Sequence, residues 1–222
     1  MKKDIRNFCL ALSVIVSLSV LSVPGILGAQ GRPTPEQIIQ HEKLEVLVPD
    51  FPAEGLILDI GGGGEGIIGQ LKGKQVIAID LSKRELEDAP AGPLLKMVMD
   101  ARDLKFLDKT FSTATVFFTF MYILPSDHEP VFKELQRVLA PGGRLLIWDV
   151  FFPKKTDPPK LYVLYPLHIK LPNKEVNTGY GIKLAEDQGI EHFLELAKKT
   201  GLEVITQKSE KGWFFLELRK PA

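Results

Sequence analysis

An acidic residue followed by closely spaced glycines is the feature of this sequence that most directly suggests chemistry. Asp59 ends an apolar stretch, and Gly61, Gly63 and Gly66 follow it. Glycine permits a left-handed backbone and a close approach of the main chain to a ligand, which suits a loop that holds a nucleotide. The three glycines also satisfy the dinucleotide-binding pattern G-x-G-x-x-G. The Asp59 carboxylate favours a ligand with a cationic amino group over a pyrophosphate, because a pyrophosphate carries negative charge.

A second acidic residue, Asp80, ends the next apolar stretch, 21 residues after Asp59. A carboxylate at the end of a second parallel strand can accept hydrogen bonds from both ribose hydroxyls of a nucleoside. The same segment can also begin a helix, with Ser82 as the N-cap and Glu85 completing a capping box, and the two functions are compatible. Asp100 follows a third apolar stretch and can accept a hydrogen bond from an adenine amino group.

The glycine-rich segment resembles motif I of the class I S-adenosylmethionine-dependent methyltransferases, D-x-G-x-G-x-G, with Asp59, Gly61 and Gly63 in matching positions. The third glycine of the motif falls on Glu65. The string from Phe132 to Asp149 resembles the segment that leads into the fifth strand of these enzymes, and this second match is the more specific of the two.

The resemblance implies an S-adenosylmethionine-dependent methyltransferase of the EC 2.1.1 class, with S-adenosyl-L-methionine as the methyl donor. It implies that Asp80 binds the donor's ribose and that Leu81 packs on the adenine. It also implies an adenine-binding turn to which Asp100 contributes its carboxylate and Ala101 its backbone amide. The donor-binding residues are therefore predicted to be Asp59, Gly61, Gly63, Asp80, Leu81, Asp100 and Ala101.

Short apolar stretches alternate with helical patterns from Leu56 onward, which predicts a parallel sheet covered on both faces. Strands are expected near residues 56–60, 75–80, 94–99, 113–119 and 143–149. The expected fold class is α/β, a Rossmann-like doubly wound sheet in three α/β/α layers that is mostly parallel with a C-terminal antiparallel strand.

Local signals mark the ends of several of these elements. The sequence Pro141-Gly142-Gly143 predicts a turn between a helix over 129–139 and the strand that follows. An amphipathic helix is expected over 190–200, and Gly201 ends it. The alternating segments 202–207 and 213–218 then predict an antiparallel hairpin.

Catalysis of methyl transfer depends mainly on positioning, because a sulfonium is already an activated donor. A general base can assist a hydroxyl or amine acceptor, and the candidates are Asp149 and His128. Asp149 is expected to end the fifth strand facing the cleft, whereas His128 is interpreted first as a residue of a first helical turn and only second as a base. The four histidines have no paired spacing, so no metal site is predicted.

The N-terminal segment has basic, apolar and small residues in the order that is typical of a signal peptide. Three basic residues precede an apolar run over 8–23, and small residues follow at 28–31. Extended through Leu27, the run is also long enough to anchor the chain in a membrane, with the folded domain outside the cytoplasm. We predict that residues 1–31 are a signal peptide or membrane anchor and that residues 32–222 form the methyltransferase domain.

The predicted location is therefore exported or membrane-anchored. S-adenosylmethionine is made in the cytosol, so exposure of the domain to the cytoplasm stays open as an alternative. After this leader, Thr34 as a cap, Pro35 in the first turn and Gln37 predict a helix that runs to Leu47.

Residues 151–185 interrupt the alternation with five prolines and several aromatic residues. We predict that this insertion is the acceptor region and that the acceptor is a small molecule of apolar or aromatic character. The alternative is a proline-stiffened cover for the sheet. The formal net charge of zero argues against a nucleic-acid partner. The single cysteine, Cys9, excludes an intrachain disulfide framework.

Two other functions stay open from the sequence. One is a non-catalytic exported binding protein that retains the fold. The other is an NAD(P)-dependent oxidoreductase, for which the acid–base pair Y-x-x-x-K is absent at Tyr162, Tyr165 and Tyr180.

Overall fold

The computed structural model of the protein describes residues 33–153, 160–184 and 189–222. The predicted leader, residues 1–31, lies outside these ranges. Within them, no helix is long and apolar enough to cross a membrane. The described chain divides into two compact units: residues 50–152 with the described part of 187–222, and the described parts of 1–49 and 153–186.

Strands outnumber helices in the described chain. In chain order the strands are β1 (Ile38–Gln40), β2 (Leu44–Leu47), β3 (Ile57–Ile60), β4 (Val76–Asp80), β5 (Leu95–Val98), β6 (Phe111–Phe117), β7 (Leu139–Val150), β8 (Tyr162–Leu171), β9 (Lys174–Lys183), β10 (Glu203–Glu210) and β11 (Trp213–Arg219). The α-helices are α1 (Ile67–Lys72), α2 (Lys83–Asp88), α3 (Pro125–Val138) and α4 (Ile190–Thr200). Short 3₁₀ turns occur at Pro35–Gln37, Gly73–Gln75 and Phe120–Tyr122.

The larger unit is built on a seven-stranded sheet in the order β10-β11-β7-β6-β3-β4-β5. The strands β3 to β7 pair in parallel, whereas β11 runs antiparallel to both β7 and β10. All four residues of β3 are buried, as expected of a parallel strand covered on both faces. The predicted Rossmann-like α/β fold, mostly parallel with C-terminal antiparallel strands, is confirmed.

The strand order reverses at β3, and this reversal predicts a ligand site at one edge of the sheet. After β5 the chain crosses to the other side of β3 and forms β6. In open α/β sheets, ligands bind outside the carboxyl ends of the strands where the order reverses. The residues that follow β3, β4 and β6 are therefore the ones that can form a site.

An aromatic core joins α3 and α4 to the antiparallel side of this sheet. Phe132 of α3 and Phe193 of α4 both contact Phe120, with ring centroids 5.4 and 5.1 Å away. Phe193 also lies 5.4 Å from Phe214 of β11. All four rings are buried, and each such burial contributes about 1.5–3 kcal/mol. The turn that contains Phe120 is therefore anchored in the core.

The predicted helix from Thr34 to Leu47 is wrong. Its start signal is present, since the Thr34 amide donates to Gln37 Oε1 at 3.0 Å, but only a 3₁₀ turn forms. The next residues form β1 and β2, which pair in parallel with β8. In β2, buried Leu44 and Val46 alternate with exposed neighbours. Pairing with β8 and a strand-like burial pattern therefore outweigh the local helix signal.

The smaller unit is a hairpin of β8 and β9 with β1 and β2 along the other edge of β8. Its two long strands lie within the predicted acceptor insertion, residues 151–185. His168 of β8 lies between Glu45 of β2 and Glu175 of β9, at 2.8 and 3.0 Å. One imidazole thus joins three strands of this sheet.

The predicted turn at residues 141–143 is an irregularity within β7 rather than a separate connection. The strand begins directly after α3, and its pairing with β6 shifts between Phe111 and Thr113. Gly142 has a left-handed φ of 75°, and its amide donates to the Lys220 carbonyl oxygen at 2.9 Å. The chain bends where the sequence indicates, but the hydrogen bond to the residue after β11 keeps the segment in the sheet.

Candidate functional site

The glycine-rich loop connects β3 to α1 at the carboxyl edge of the sheet. Gly61, Gly64 and Gly66 have φ values of 68°, 56° and 54°. These left-handed conformations are unfavourable for residues that carry a Cβ atom. The Gly64 amide donates to the Glu85 carbonyl oxygen of α2 at 2.8 Å, which ties the loop to the next helix.

The loop also packs closely against side chains on both sides. A Cβ atom on Gly63 would lie 2.5 Å from Glu85 Cβ and 2.8 Å from Asp80 Oδ2. A Cβ atom on Gly61 would overlap the side chain of Thr119, which follows β6. The loop is therefore held between the end of β4 and the turn after β6, and neither glycine can be replaced without a shift of its neighbours.

The structure brings Asp80 and Gly63 together, two of the predicted donor-binding residues. The Asp80 carboxylate accepts hydrogen bonds from the Ser82 amide at 2.8 Å and from the Gly63 amide. Burial raises the pKa of Asp80, and these amides oppose that rise. Ser82 Oγ also caps α2 by accepting the Glu85 amide at 3.3 Å. Ser82 therefore caps the helix while its own amide binds the Asp80 carboxylate. The next side chain, Leu81, is 60% exposed.

Asp59 is buried against the loop, with 2% of its surface exposed. Thr115 Oγ1 of β6 donates to Asp59 Oδ1 at 2.7 Å. A Cβ atom on Gly62 would lie 2.6 Å from the other carboxyl oxygen. Burial raises the pKa of Asp59 to about 7, and the charge of Asp80 adds to the rise. The carboxyl group supports the loop backbone, and its contact with a cationic amino group stays a prediction.

Asp100 and Ala101 follow β5, the neighbour of β4. The Met99 amide donates to the Asp80 carbonyl oxygen at 3.0 Å, which joins the two strand ends. Arg102 binds the Asp100 carboxylate through Nη2 at 2.7 Å and Nε at 3.0 Å and holds the pKa of that carboxyl below its usual range. The predicted adenine contact therefore falls on a carboxylate that already has a guanidinium partner. The sequence analysis did not identify Arg102, although its place two residues after Asp100 was the available signal.

Asp149 does not face an open cleft, which corrects the expectation for this general-base candidate. Its Oδ1 accepts the Val150 amide at 2.8 Å, and its Oδ2 accepts the Met121 amide at 3.3 Å. The amides of Phe120 and Thr119 also donate to it. Burial raises the pKa of Asp149 to about 7 despite these donors. The residue is only 2% exposed, and it holds the turn that follows β6.

His128, the other candidate base, is also enclosed. Its Nε2–H donates to the carbonyl oxygens of Ile123 at 3.0 Å and Phe120 at 3.2 Å. Its Nδ1 lies 2.9 Å from Nε2 of His192, and the carbonyl contacts of the other nitrogen assign Nδ1 as the acceptor. Burial lowers the pKa of His128 to about 4. Both ring nitrogens are thus used to join α3, α4 and the preceding turn.

Residues 58–147 match a family model described as a methyltransferase domain. Over these residues the chain is similar to methyltransferase domains. The match runs from β3 into β7 and contains every residue predicted to bind the donor. The resemblance to methyltransferases, which rested on motif I and on the segment before the fifth strand, is therefore confirmed.

A curated relative of the methyltransferase domain is the ubiquinone/menaquinone biosynthesis C-methyltransferase UbiE of Desulfotalea psychrophila. It is 34% identical over 125 residues, which are 52% of this chain and 47% of the relative. The chain spans about half the length of the curated relatives it matches.

Two solved structures show the same fold. A SAM-dependent methyltransferase from Methanosarcina mazei aligns with a TM-score of 0.57 at 20% identity, covering 77% of this chain and 94% of its own. Phosphoethanolamine N-methyltransferase 2 of Haemonchus contortus, in complex with S-adenosyl-L-methionine, aligns with a TM-score of 0.54 at 19% identity, covering 78% of this chain and 50% of its own.

The turn after β6 lies against the glycine loop through Thr119, and it contains Tyr122, which the sequence analysis did not identify. Phe118 has a φ of 49°, a conformation that is rare for a bulky residue. Phe118, Phe120 and Met121 are buried, whereas Tyr122 is 37% exposed. The aromatic run before Tyr122 was the available signal. Among the residues that the structure describes, no three His, Cys, Asp or Glu side chains are grouped to hold a metal ion.

We expect Gly63→Ala to destabilise the methyltransferase domain because the new methyl group would overlap Glu85 and Asp80. Overpacking of this kind costs about 1–3 kcal/mol, which lowers the unfolding temperature of a chain of this size by several degrees. The matched control is Gly179→Ala, where the nearest atom to a Cβ would be 3.6 Å away. Calorimetric unfolding temperatures that fall equally in both variants would contradict the assignment.

The buried Asp149 should make stability depend on pH. Because its pKa is raised to about 7, the folded chain keeps a proton that the unfolded chain loses, and the stability from this group falls as pH rises from about 4 to 7. The full change is about 4 kcal/mol, since each pKa unit corresponds to about 1.4 kcal/mol. Asp149→Asn should reduce the difference in urea-unfolding free energy between pH 5 and pH 8 by this contribution, whereas Asp108→Asn, at an exposed carboxylate, should leave the difference unchanged. An unchanged difference in Asp149→Asn would show that the carboxyl is ionised in the folded protein.

Proposed function

We propose that this protein is an S-adenosylmethionine-dependent methyltransferase, an enzyme of the EC 2.1.1 class. The proposal rests on the corner formed by the Gly63 amide and the Asp80 carboxylate, inside the segment that matches methyltransferase domains. A carboxylate at the end of a second parallel strand can accept hydrogen bonds from ribose hydroxyls. The side-chain-free loop beside it allows the rest of the donor to approach the backbone.

The residues at this edge of the sheet suit the donor part by part. Leu81 offers an exposed apolar surface for the flat adenine, and Asp100 with Ala101 lie at the next strand end. The glycine loop follows at the end of β3, on the other side of Asp80. When bound, S-adenosylmethionine supplies a methyl group that is already activated by its sulfonium. The chain's own contribution is to hold and orient the donor relative to an acceptor.

The acceptor in this proposal is a small molecule of apolar or aromatic character. Tyr122 and Leu124 expose 37% and 65% of their surface just after β6 at the carboxyl edge. The UbiE relative is named for ubiquinone and menaquinone biosynthesis, and quinones are apolar ring compounds. No general base is assigned, because the hydrogen bonds of Asp149 and His128 are used within the protein.

Binding of the donor tests the proposal directly. Calorimetric titration of the full chain should show micromolar binding of S-adenosylmethionine and S-adenosylhomocysteine, and no binding of NADH. Asp80→Ala should weaken both by roughly 1–3 kcal/mol, the cost of hydrogen bonds lost at a charged group. Asp88→Ala is the matched control, since Asp88 is exposed at the end of α2 beside Arg84. Unaltered affinity in a folded Asp80→Ala variant would exclude the ribose contact, and NADH binding would favour an oxidoreductase.

We further propose that the N-terminal segment exports or anchors the domain. The support is the order of basic residues, an apolar run over 8–23 and small residues at 28–31. Expressed in bacteria, the full chain should fractionate with the membrane or outside the cytoplasm, and a chain lacking residues 8–23 should stay in the cytoplasm. Protease added to intact spheroplasts should digest the domain if it faces outward. A full chain in the cytoplasmic fraction would contradict the proposal.

A further inference from the structure

The segment that follows β5 lies next to the residue predicted to bind the donor's ribose. The Met99 amide donates to the Asp80 carbonyl oxygen at 3.0 Å, so the main chain joins the ends of β4 and β5. Asp100 comes directly after Met99, and its carboxylate is the group expected to accept the adenine amino group. Its capacity for that contact depends on the donors that already bind its two oxygens.

Arg102 fills the acceptor positions of this carboxylate. Oδ1 of Asp100 accepts the Arg102 backbone amide at 2.9 Å and Arg102 Nε at 3.0 Å. Oδ2 accepts Arg102 Nη2 at 2.7 Å and Nε at 3.1 Å. A carboxylate offers about four lone-pair sites on its two oxygens, and these contacts occupy them. An adenine amino group would therefore have to displace part of the guanidinium before it could donate to Asp100.

A second carboxylate also binds this guanidinium. Arg102 Nη1 donates to Asp127 Oδ2 at 2.9 Å, and Asp127 belongs to the first turn of α3. An isolated exposed ion pair contributes little to stability, but a planar guanidinium that makes several charge-assisted hydrogen bonds is held in one orientation. Arg102 thus connects the loop after β5 to α3, and two carboxylates orient it.

The rest of the loop between β5 and β6 is fastened to the same helix. The Leu104 amide donates to Glu134 Oε2 at 2.7 Å. Arg137 donates from Nη2 to the Leu104 carbonyl oxygen at 2.9 Å and from Nη1 to the Phe106 carbonyl oxygen at 2.8 Å. The loop is therefore tied to the first turn of α3 through Arg102 and to its last turns through these residues.

We propose that Arg102 withholds the Asp100 carboxylate from the nucleobase, so that Asp100 does not select the donor by its 6-amino group, an inference that rests on the proposed donor function. An unpaired carboxylate accepts a hydrogen bond from the amino group of adenine. A carboxylate whose lone pairs are bound to a guanidinium does not. Arg102 acts through Asp100 and is therefore a positioning residue that determines specificity.

The competing interpretation is that Arg102 only fastens the loop and moves aside when the donor binds. Asp100 would then accept the adenine amino group, and removal of Arg102 would change the stability of the loop without changing the selection of the base. The two interpretations differ in one quantity, the affinity for a ligand with the 6-amino group divided by the affinity for the same ligand without it. We call this quantity the amino preference.

Two probes measure the amino preference by calorimetric titration of the full chain. One is S-adenosylhomocysteine, and the other is its analogue with hydrogen in place of the 6-amino group. Asp100→Ala should change the amino preference by less than about twofold, because the carboxylate makes no contact with the base. Arg102→Met should raise it about tenfold, the effect of one new hydrogen bond to a charged group. Adding Asp100→Ala to Arg102→Met should remove this rise.

The controls separate this effect from loss of charge and from loss of folding. Lys105→Met removes another cation of the same loop, one that pairs with Asp103, and should leave the amino preference unchanged. Unfolding temperatures establish that each variant is folded. Asp127→Asn keeps the guanidinium and weakens one of its two anchors, so it should raise the amino preference by less than Arg102→Met does. It carries the test if Arg102→Met does not fold.

The outcomes distinguish this inference from the proposed function. If the unaltered chain binds neither S-adenosylmethionine nor S-adenosylhomocysteine, the proposed function fails and this inference with it. If it binds them and Asp100→Ala alone lowers the amino preference about tenfold, the carboxylate reaches the base despite Arg102 and the inference is wrong. A folded Arg102→Met variant with an unchanged amino preference would overturn it as well.

Discussion

The close packing of the glycine loop between two neighbouring strand ends is the constraint on which the rest of this site depends. Gly63 lies against Asp80 on one side, and Gly61 lies against Thr119 on the other. Gly62 also leaves no room for a Cβ atom, because Asp59 and Ala78 adjoin it. Any side chain in this stretch would push the loop away from the groups that define the proposed donor site. The glycines are thus required by the space available as well as by left-handed backbone angles.

Burial of the two carboxyl groups and burial of His128 have opposite effects on how stability depends on pH. Asp59 and Asp149 have pKa values raised to about 7, whereas the pKa of His128 is lowered to about 4. All three groups therefore favour the neutral form in the folded protein. As pH rises from about 4 towards neutrality, the two carboxyl groups reduce stability while the histidine increases it. The unaltered protein shows the sum of these terms, so single variants are needed to observe any one of them.

The sequence predicted the features that depend on neighbouring residues along the chain. The apolar strands, the glycine loop and the Ser82 cap are each coded within a few positions, and the structure contains all of them. The fold followed because alternating strands and helices restrict the topology strongly. Predictions from neighbouring residues were wrong where pairing with a distant strand competes with the local preference. Thr34 and Gln37 form the expected capping box, yet pairing with β8 converts the following residues into strands.

The roles of Asp149 and His128 could not be predicted for a related reason. A carboxylate at a strand end and a histidine at a helix start are both common at catalytic sites, and nothing along the chain shows whether they face solvent. Their environment is set by a turn that comes from another strand. Asp149 accepts amides from residues about 30 positions earlier, and His128 meets His192 from a different helix. Only the packed fold reveals that these polar groups are satisfied internally.

The aromatic core and the strained turn are parts of one arrangement. A left-handed conformation at Phe118 costs of order 1–3 kcal/mol and persists only if the surroundings fix it. Phe120 holds the turn in place by packing against Phe132 and Phe193. Asp149 holds it by accepting hydrogen bonds from the backbone amides of the turn. Burial of a single aromatic ring is worth about as much as the strain. The helices α3 and α4, which contribute no predicted donor contact, therefore help to determine the shape of the site by holding the turn against the glycine loop.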